Sequence, residues 1–186
     1  MQSVSILTAL ETPHLLLREI GSGDADQLAA FMTQQRYQRH ITHRLRDGAM
    51  VKDFVRRQIA AQGDVRRQVF HLAAEEKLSG DVVGEGFIIA HNGGGHEIGW
   101  GVHPAMWDKG FGSEIGRALL GLGFEKIMAK SMWCKVMAEN TASTKLASRI
   151  GMGHQATHAA YGLGQGKIGP VEIFAIDQTG YFDLPY

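Results

Sequence analysis

A glycine-rich segment at residues 102–114 constrains the fold of this chain more than any other feature, because it separates a predicted strand from a predicted helix. It contains Gly110 and Gly112, which accept backbone angles and close approaches that a side chain would forbid. Successive N–H groups in such a turn can point into one concavity, and the start of a helix adds partial positive charge there. Lys109 adds a full positive charge at the same place. The segment predicts a phosphate or pyrophosphate site, unless the glycines only form a turn that starts the helix.

Hydrophobic periodicity predicts an α+β chain in which most of the strands follow two early helices. Short apolar runs bounded by turn residues indicate the strands, and apolar residues spaced three or four apart indicate the helices. The predicted strands are 14–20, 69–75, 81–90, 97–102, 131–138, 154–161 and 171–177, and the predicted helices are 25–32, 51–59, 113–128 and 141–150. This order predicts an antiparallel meander that continues into one strand–helix–strand unit, with two N-terminal helices after the first strand.

The composition indicates one globular domain that spans residues 1–186, with 44% hydrophobic and 20% charged residues. Nineteen Lys and Arg balance nineteen Asp and Glu, which argues against direct binding of nucleic acid. Residues 36–67 carry nine Lys or Arg and three Asp, a pattern more typical of a solvated basic face than of an acidic partner's site. No apolar run approaches the roughly 20 residues of a membrane helix, and the N-terminus lacks a secretory pattern. We therefore expect a cytoplasmic protein without membrane contact.

The cysteine and histidine content disfavours metal and disulfide chemistry. Cys134 is the only cysteine, which excludes an intramolecular disulfide and a multi-cysteine zinc site; we expect a buried thiol. His40 with His43, and His154 with His158, have no accompanying framework of carboxylates or cysteines, so we expect no bound metal.

A second polar element, Glu-Asn-Thr-Ala-Ser at residues 139–143, opens the helix after the next predicted strand. Taken alone, Asn140 or Thr141 is most simply the N-cap of that helix. Together with the glycine-rich segment, it resembles the GNAT acetyl-CoA-dependent N-acetyltransferases, most closely the branch that includes the ribosomal-protein N-terminal acetyltransferases. The matching segments, which together cover nearly the whole chain, are residues 12–18, 97–100, 140–143 and 149–152.

The resemblance implies a GNAT-like mixed sheet, mostly antiparallel and flanked by helices, and a site for acetyl-CoA. In this family an Arg/Gln-x-x-Gly-x-Gly/Ala loop holds the pyrophosphate of coenzyme A through backbone amides, and residues 107–112 fit this pattern with an aromatic first residue. The cofactor-binding residues implied in this way are Trp100, Gly101, Val102, Trp107, Lys109, Gly110, Phe111, Gly112, Ser113, Asn140 and Ser143. Asp108 and Met152 depart from the family's pattern, in which a glycine and an aromatic residue are usual.

The implied reaction transfers an acetyl group from acetyl-CoA to a primary amine, on a protein N-terminus or a small molecule. A backbone N–H at the end of strand 97–102 would stabilise the oxyanion, provided that this strand splays from its neighbour. The helix at 141–150 contains no Tyr, so Ser143 is the candidate donor to the thiolate, unless it is only a first-turn residue. Glu97 is the candidate base, directly or through water, unless it is a solvated residue at a hairpin end. Tyr161, before a glycine-rich loop predicted at 162–170, is a weaker candidate.

Two other interpretations stay open at this stage. The absence of a tyrosine from the predicted helix at 141–150 is compatible with a non-catalytic module that binds acyl-CoA. Gly110 and Gly112 followed by Gly116 also resemble a dinucleotide fingerprint, which is disfavoured because residues 104–109 intervene after the strand and no further βαβ units follow. The sequence does not identify the amine acceptor or decide between a monomer and a homodimer.

Overall fold

The computed structural model describes residues 9–41, 45–162 and 168–185, and these build one mixed sheet with helices on both faces. The sheet order is β1-β2-β3-β4-β5-β6-β8-β7. The strands are β1 Leu10–Glu11, β2 Leu15–Glu19, β3 Val69–Glu76, β4 Val82–Ile89, β5 Gly95–Val102, β6 Ser131–Met137, β7 Gly153–Gly162 and β8 Ile168–Asp177. The predicted α+β class and mostly antiparallel sheet are confirmed.

One strand pair differs from the others in direction. β5 and β6 run parallel, because the connection between them crosses the sheet through a helix, whereas the remaining neighbours are antiparallel. The parallel register covers only Gly95–Glu97 on β5 and Ser131–Trp133 on β6. Beyond these residues β6 continues to pair with β8, and β5 with β4. The sheet therefore opens between the carboxyl ends of β5 and β6.

The helices divide between the two faces of the sheet. They are α1 Ala25–Met32, α2 Gln35–Gln38, α3 Gly48–Ala61, α4 Phe111–Gly121, α5 Thr141–Arg149 and α6 Gln178–Phe182. The main core packs α4 and α5 against one face, with Ile115, Leu119 and Ile98 fully buried. A smaller core packs α1 to α3 against the other face, around Phe31 and Val51. In the described part of the chain, no helix combines the length and apolar character needed to cross a membrane.

The structure differs from the predicted elements mainly near the glycine-rich segment. The helix predicted from 113 to 128 begins at Phe111, and beyond Gly121 it widens into a π-helical turn, Leu122–Lys126. Gly110, with φ 86°, turns the chain so that the buried Phe111 can start the helix. Three helices, not two, follow the first long strand, because the four-residue α2 is too short to be indicated by periodicity.

Candidate functional site

The glycine-rich segment forms a row of free backbone donors at the start of α4. Among the described residues, the N–H groups from Asp108 through Gly112 have no hydrogen-bond partner. The next two N–H groups donate to the Gly110 carbonyl, at 3.0 Å from Ser113 and 3.2 Å from Glu114. Asp108 and Gly110 both have left-handed φ angles, 65° and 86°, which bring neighbouring N–H groups into one concavity. The row lies at the positive end of the α4 dipole and fits an anion.

The side chains of the loop frame this row without covering it. Lys109 folds back so that its Nζ lies 3.2 Å from the Met106 sulfur and 6.0 Å from the centre of the Phe111 ring. The Trp107 indole donates to the Val102 carbonyl at 2.9 Å and remains 39% exposed. Ser113, by contrast, is buried and its N–H belongs to the helix. Of the predicted loop residues, Ser113 therefore faces away from the anion site.

The second glycine of the loop is needed for packing. A Cβ on Gly112 would lie 2.6 Å from Leu146 Cδ1 on α5. The missing side chain lets the start of α4 pack closely against the second half of α5. The two helices begin at the same edge of the sheet because α4 follows β5, α5 follows β6, and these two strands run parallel.

The opening between β5 and β6 lies beside these two helix starts. Trp100, Gly101 and Val102 lie on β5 beyond the last pair with β6, Glu97 with Trp133. In an extended strand alternate N–H and C=O groups point to opposite sides, so some backbone groups of this segment face the opening. The strand can therefore add an extended ligand by backbone hydrogen bonds.

At the start of α5, one predicted residue has a structural role and the other is free. Asn140 is the N-cap, and its Oδ1 accepts from the Ser143 N–H at 3.2 Å. The Ser143 hydroxyl makes no hydrogen bond to any described residue and is partly exposed. Ser143 is therefore available to a ligand at this helix start.

Glu97 lies on the face of the sheet opposite α4, where it belongs to a small polar group. Its Oε1 is 3.6 Å from Lys135 Nζ, and the side chain is 17% exposed. Lys135 Nζ also lies 3.3 Å from the Tyr161 hydroxyl and 4.8 Å from the ring centre. The structure thus places the two sequence candidates, Glu97 and Tyr161, on either side of one lysine. Of the glycine-rich loop predicted after Tyr161, residues 163–167 lie outside the described residues.

A buried polar network on the same face was not predicted from the sequence. The Tyr37 hydroxyl donates to Glu85 Oε1 at 2.7 Å, and His71 Nε2 contacts Glu85 Oε2. The glutamate is 4% exposed. Glu85 pairs directly with Gly101 on β5, where a Cβ would lie 2.0 Å from the Tyr37 hydroxyl oxygen. The available signal was a carboxylate flanked by glycines inside an otherwise apolar strand, since a buried charge is rarer than a buried apolar residue.

The cysteine, the histidines and the basic segment singled out in the sequence have contacts that point to structural roles. Cys134 is buried against Met152, with the sulfurs 3.8 Å apart, and burial raises the pKa of this thiol to about 12. His154 pairs with Glu172 at 3.1 Å, while His43 lies outside the described residues. Within the described ranges, no group of three or more His, Cys, Asp or Glu side chains is arranged to hold a metal ion. In the basic segment, Lys52 pairs with an acidic side chain on α1.

Comparison with known proteins finds acetyltransferases, both among family models and among individual relatives. Residues 14–153 match the family model described as an acetyltransferase (GNAT) domain. The uncharacterized N-acetyltransferase p20 of Bacillus licheniformis is 26% identical over 180 residues, which are 94% of this chain and 99% of that protein.

Two solved structures share the fold at low identity. The ribosomal-protein-S5-alanine acetyltransferase of Vibrio fischeri has a TM-score of 0.80 and 13% identity, over 92% of this chain and 97% of that one. The spermidine N-acetyltransferase of Vibrio cholerae, in complex with CoA and spermine, has a TM-score of 0.79 and 15% identity, over 92% of this chain and 100% of that one.

Proposed function

This chain belongs to the GNAT acetyltransferase family and is an acetyl-CoA-dependent N-acetyltransferase, and on that premise we propose that a primary amine attacks the thioester directly in its site. The acceptor in this proposal is the N-terminus of a protein or a small-molecule amine. The observation that carries the proposal is the row of free N–H groups at the start of α4, beside the opening between β5 and β6. An anion-binding helix start next to an unpaired strand suits a long ligand with a phosphate end.

The residues present fit coenzyme A. The free N–H groups of residues 108–112 would hold the pyrophosphate, with Lys109 adding charge and Trp107, Gly110, Phe111 and Gly112 shaping the loop. The backbone of residues 100–102 would pair with the pantetheine arm, and Asn140 and Ser143 would border its sulfur end. Ser113 contributes through its place in the first turn of α4. When bound, acetyl-CoA supplies an activated acetyl thioester to the amine.

The chemistry requires a neutral amine, a donor to the oxyanion and a proton for the leaving sulfur. We assign Glu97 as the base, since this carboxylate lies at the last pair of β5 with β6, where the two strands begin to separate. Backbone N–H groups of β5 that face the opening would stabilise the oxyanion. Ser143 would protonate the sulfur, because its hydroxyl is free at the start of α5.

The names of two structural neighbours indicate which acceptors to test. The two structural neighbours named above act, by their names, on an alanine of ribosomal protein S5 and on spermidine. These acceptors share a primary amine and little else, so both classes belong in the test.

The test measures release of free thiol from acetyl-CoA with spermidine and with peptides that begin with Ala or Ser. We expect turnover with at least one of them. Ser143→Ala should lower kcat about 10- to 100-fold, whereas Ser148→Ala, which removes a hydroxyl bonded within α5, should leave kcat unchanged. Glu97→Gln should lower kcat about 100-fold near neutral pH.

The alternatives predict different results in the same assays. Binding of acetyl-CoA without turnover on a wide acceptor panel would favour a non-catalytic acyl-CoA-binding module. A larger thermal shift with NADPH than with coenzyme A would favour a dinucleotide site. Failure to bind coenzyme A at all would contradict the role assigned to the start of α4.

A further inference from the structure

Lys135 lies on β6 at the opening between β5 and β6. It is two residues beyond Trp133, the last residue of β6 that pairs with β5. Alternate residues of β6 belong to the core under α4, so Trp133 and Lys135 point to the opposite face, where Glu97 also lies. The backbone at Lys135 pairs with Ile173 of β8 on one side. The other side of the strand faces the opening.

The side chain of Lys135 is held beside Glu97. Its Nζ is 3.6 Å from Glu97 Oε1, and the two side chains are 21% and 17% exposed. Tyr161 supports the ammonium group from the other side, with its hydroxyl oxygen at 3.3 Å and its ring centre at 4.8 Å. Lysine is seldom covered to this extent unless it is paired. The ammonium group is therefore fixed next to the carboxylate that we assign as the base.

This placement gives Lys135 the position of an acceptor. An amine that gives a proton to Glu97 must come within about 2.6–3.2 Å of the carboxylate. Lys135 Nζ is itself a primary amine, and it lies only slightly beyond that distance. Because the lysine is attached to a strand that borders the opening, its reaction needs no second molecule. Transfer within one molecule has a large advantage over transfer between two.

We propose that Lys135 is an acetylation site that the protein modifies in its own active site, with Nζ as the acceptor. The inference rests on the proposed function. Lys135 gives one proton to Glu97, and the electron pair of Nζ forms the N–C bond as the C–S bond of the acetyl thioester breaks. Nζ loses a second proton on becoming an amide nitrogen. Of the two protons, one replaces the proton that Ser143 gives to the sulfur, and the other leaves to solvent.

The test incubates the full chain with acetyl-CoA and no added amine, and peptide mass spectrometry then locates acetyl groups. Lys77 is the matched control, since its Nζ lies 3.1 Å from Glu11 and its side chain is more exposed, at 36%. Acetylation without catalysis would modify this exposed lysine first. We expect Lys135 to be modified at least about 100-fold faster than Lys77. Equal rates, or an unmodified Lys135, would overturn the proposal.

Variants test the assigned base and the acceptor nitrogen. Glu97→Gln should slow the modification of Lys135 about 100-fold, whereas Ser148→Ala should not change its rate. Lys135→Arg keeps the positive charge but removes the amine, so the peptide that contains residue 135 should carry no acetyl group. A modification that is as fast in Glu97→Gln as in the wild type would contradict the proposed step.

A mixing experiment tests whether the transfer occurs within one molecule. Glu97→Gln protein labelled with nitrogen-15 is incubated with unlabelled wild type and acetyl-CoA. We expect Lys135 of the labelled variant to stay about 100-fold less modified than that of the wild type, at every protein concentration. Rapid modification of the labelled protein would show transfer between molecules and overturn the proposal.

A measurement independent of acetyl transfer uses coenzyme A, which carries no acetyl group. Its sulfur end should shield Lys135 from reductive methylation by formaldehyde and leave the methylation of Lys77 unchanged. Loss of this shielding in a protein that binds coenzyme A would overturn the inference.

The two proposals fail in different ways. Turnover of spermidine or of a peptide with an unmodified Lys135 would overturn the inference and leave the proposed function intact. If Lys135 is shielded and acetylated but no added amine turns over, the inference stands and the proposed acceptors are wrong.

Discussion

Gly86 and Gly101 lie on adjacent strands and face opposite sides of the sheet. Apolar side chains fill the space beside Gly86, whereas hydrogen-bonding groups fill the space beside Gly101. A Cβ on Gly86 would lie 2.8 Å from Ile115 Cγ2 and 3.0 Å from Leu119 Cδ1, both on α4. The missing side chain lets the helix pack closely against the sheet. This contact is apolar, and the side-chain ends that form it are flexible enough to shift.

On the other face, a Cβ on Gly101 would lie 2.0 Å from the Tyr37 hydroxyl oxygen and 2.6 Å from Glu85 Oε1. Here the missing side chain makes room for buried hydrogen-bonding groups. Because hydrogen bonds weaken steeply when their geometry changes, these groups cannot shift without loss. Glycine therefore serves apolar packing on one face of the sheet and a buried hydrogen-bonded network on the other, and substitutions should be tolerated better on the first face than on the second.

The largest effect is expected from Gly101→Ala. The new methyl group must displace the Tyr37 hydroxyl, which adds the strain of overpacking to the cost of an unmade buried hydrogen bond. Together these lower the free energy of unfolding by about 3–5 kcal/mol, measured by urea denaturation. Gly48→Ala, at a helix start where nothing lies within 4 Å, is the control and should change stability by less than about 1 kcal/mol. Equal stability of the two variants would mean that the network adjusts freely.

Gly86→Ala should cost less, about 1–3 kcal/mol, because Ile115 and Leu119 can move. The acetyl transfer rate and the KM for acetyl-CoA should stay near those of the wild type, since Ile115 and Leu119 belong to the buried core and not to the proposed site. The double variant with Ile115→Ala should lose less stability than the sum of the two single changes, because the smaller residue makes room for the new methyl group. Additive losses would show that the contact with Ile115 is not what constrains Gly86.

The difference between the two faces also explains what could be predicted from the sequence. The strands and the long helices follow from apolar periodicity, and the loop from the local spacing of Gly110 and Gly112. The cap made by Asn140 is likewise local, since its partner Ser143 is three residues away. These features need no knowledge of distant segments.

The buried network could not be predicted in the same way. Tyr37 and Glu85 are 48 residues apart, and His71 is 14 residues from Glu85. Tyr37 also lies on a helix of four residues that has no periodic pattern. Only the pairing of β3 with β4, and the docking of α2 on the sheet, bring the three side chains together. For the same reason the sequence indicates Glu97 only by its place on a strand and gives no sign of its partner Lys135.

Tyr37→Phe tests the hydrogen bonding of the network without changing its volume. Removal of the hydroxyl leaves the buried Glu85 with one donor fewer and should lower the free energy of unfolding by about 1–2 kcal/mol. Tyr161→Phe removes a hydroxyl that contacts Lys135 at 3.3 Å in a less buried place, and should cost less than about 0.5 kcal/mol. If the two variants lose equal stability, burial of the first hydroxyl has no energetic consequence.

The smallest change in stability is expected at Glu114, at the edge of the sheet face that α4 covers. Its side chain is 13% exposed and lies in the first turn of α4. Burial raises the pKa of this carboxyl, but hydrogen bonds from the Thr12 hydroxyl and from His14 outweigh it and leave the pKa below its usual value. The ionised form is therefore favoured in the folded state, as it is at a helix N-terminus. Its contribution to stability, about 1 kcal/mol, is present above the unfolded pKa.

Because the folded pKa is the lower one, this contribution is lost as the pH falls from the unfolded pKa through the folded pKa. Glu114→Gln should thus be less stable than the wild type near neutral pH, and the difference should shrink in acid, where urea denaturation can follow it. Glu11→Gln, at an exposed carboxylate paired with Lys77, should change stability by less than about 0.5 kcal/mol at any pH. A difference for Glu114→Gln that persists unchanged in acid would mean that its carboxylate charge contributes nothing, and that the α4 face depends on apolar contact even at its rim.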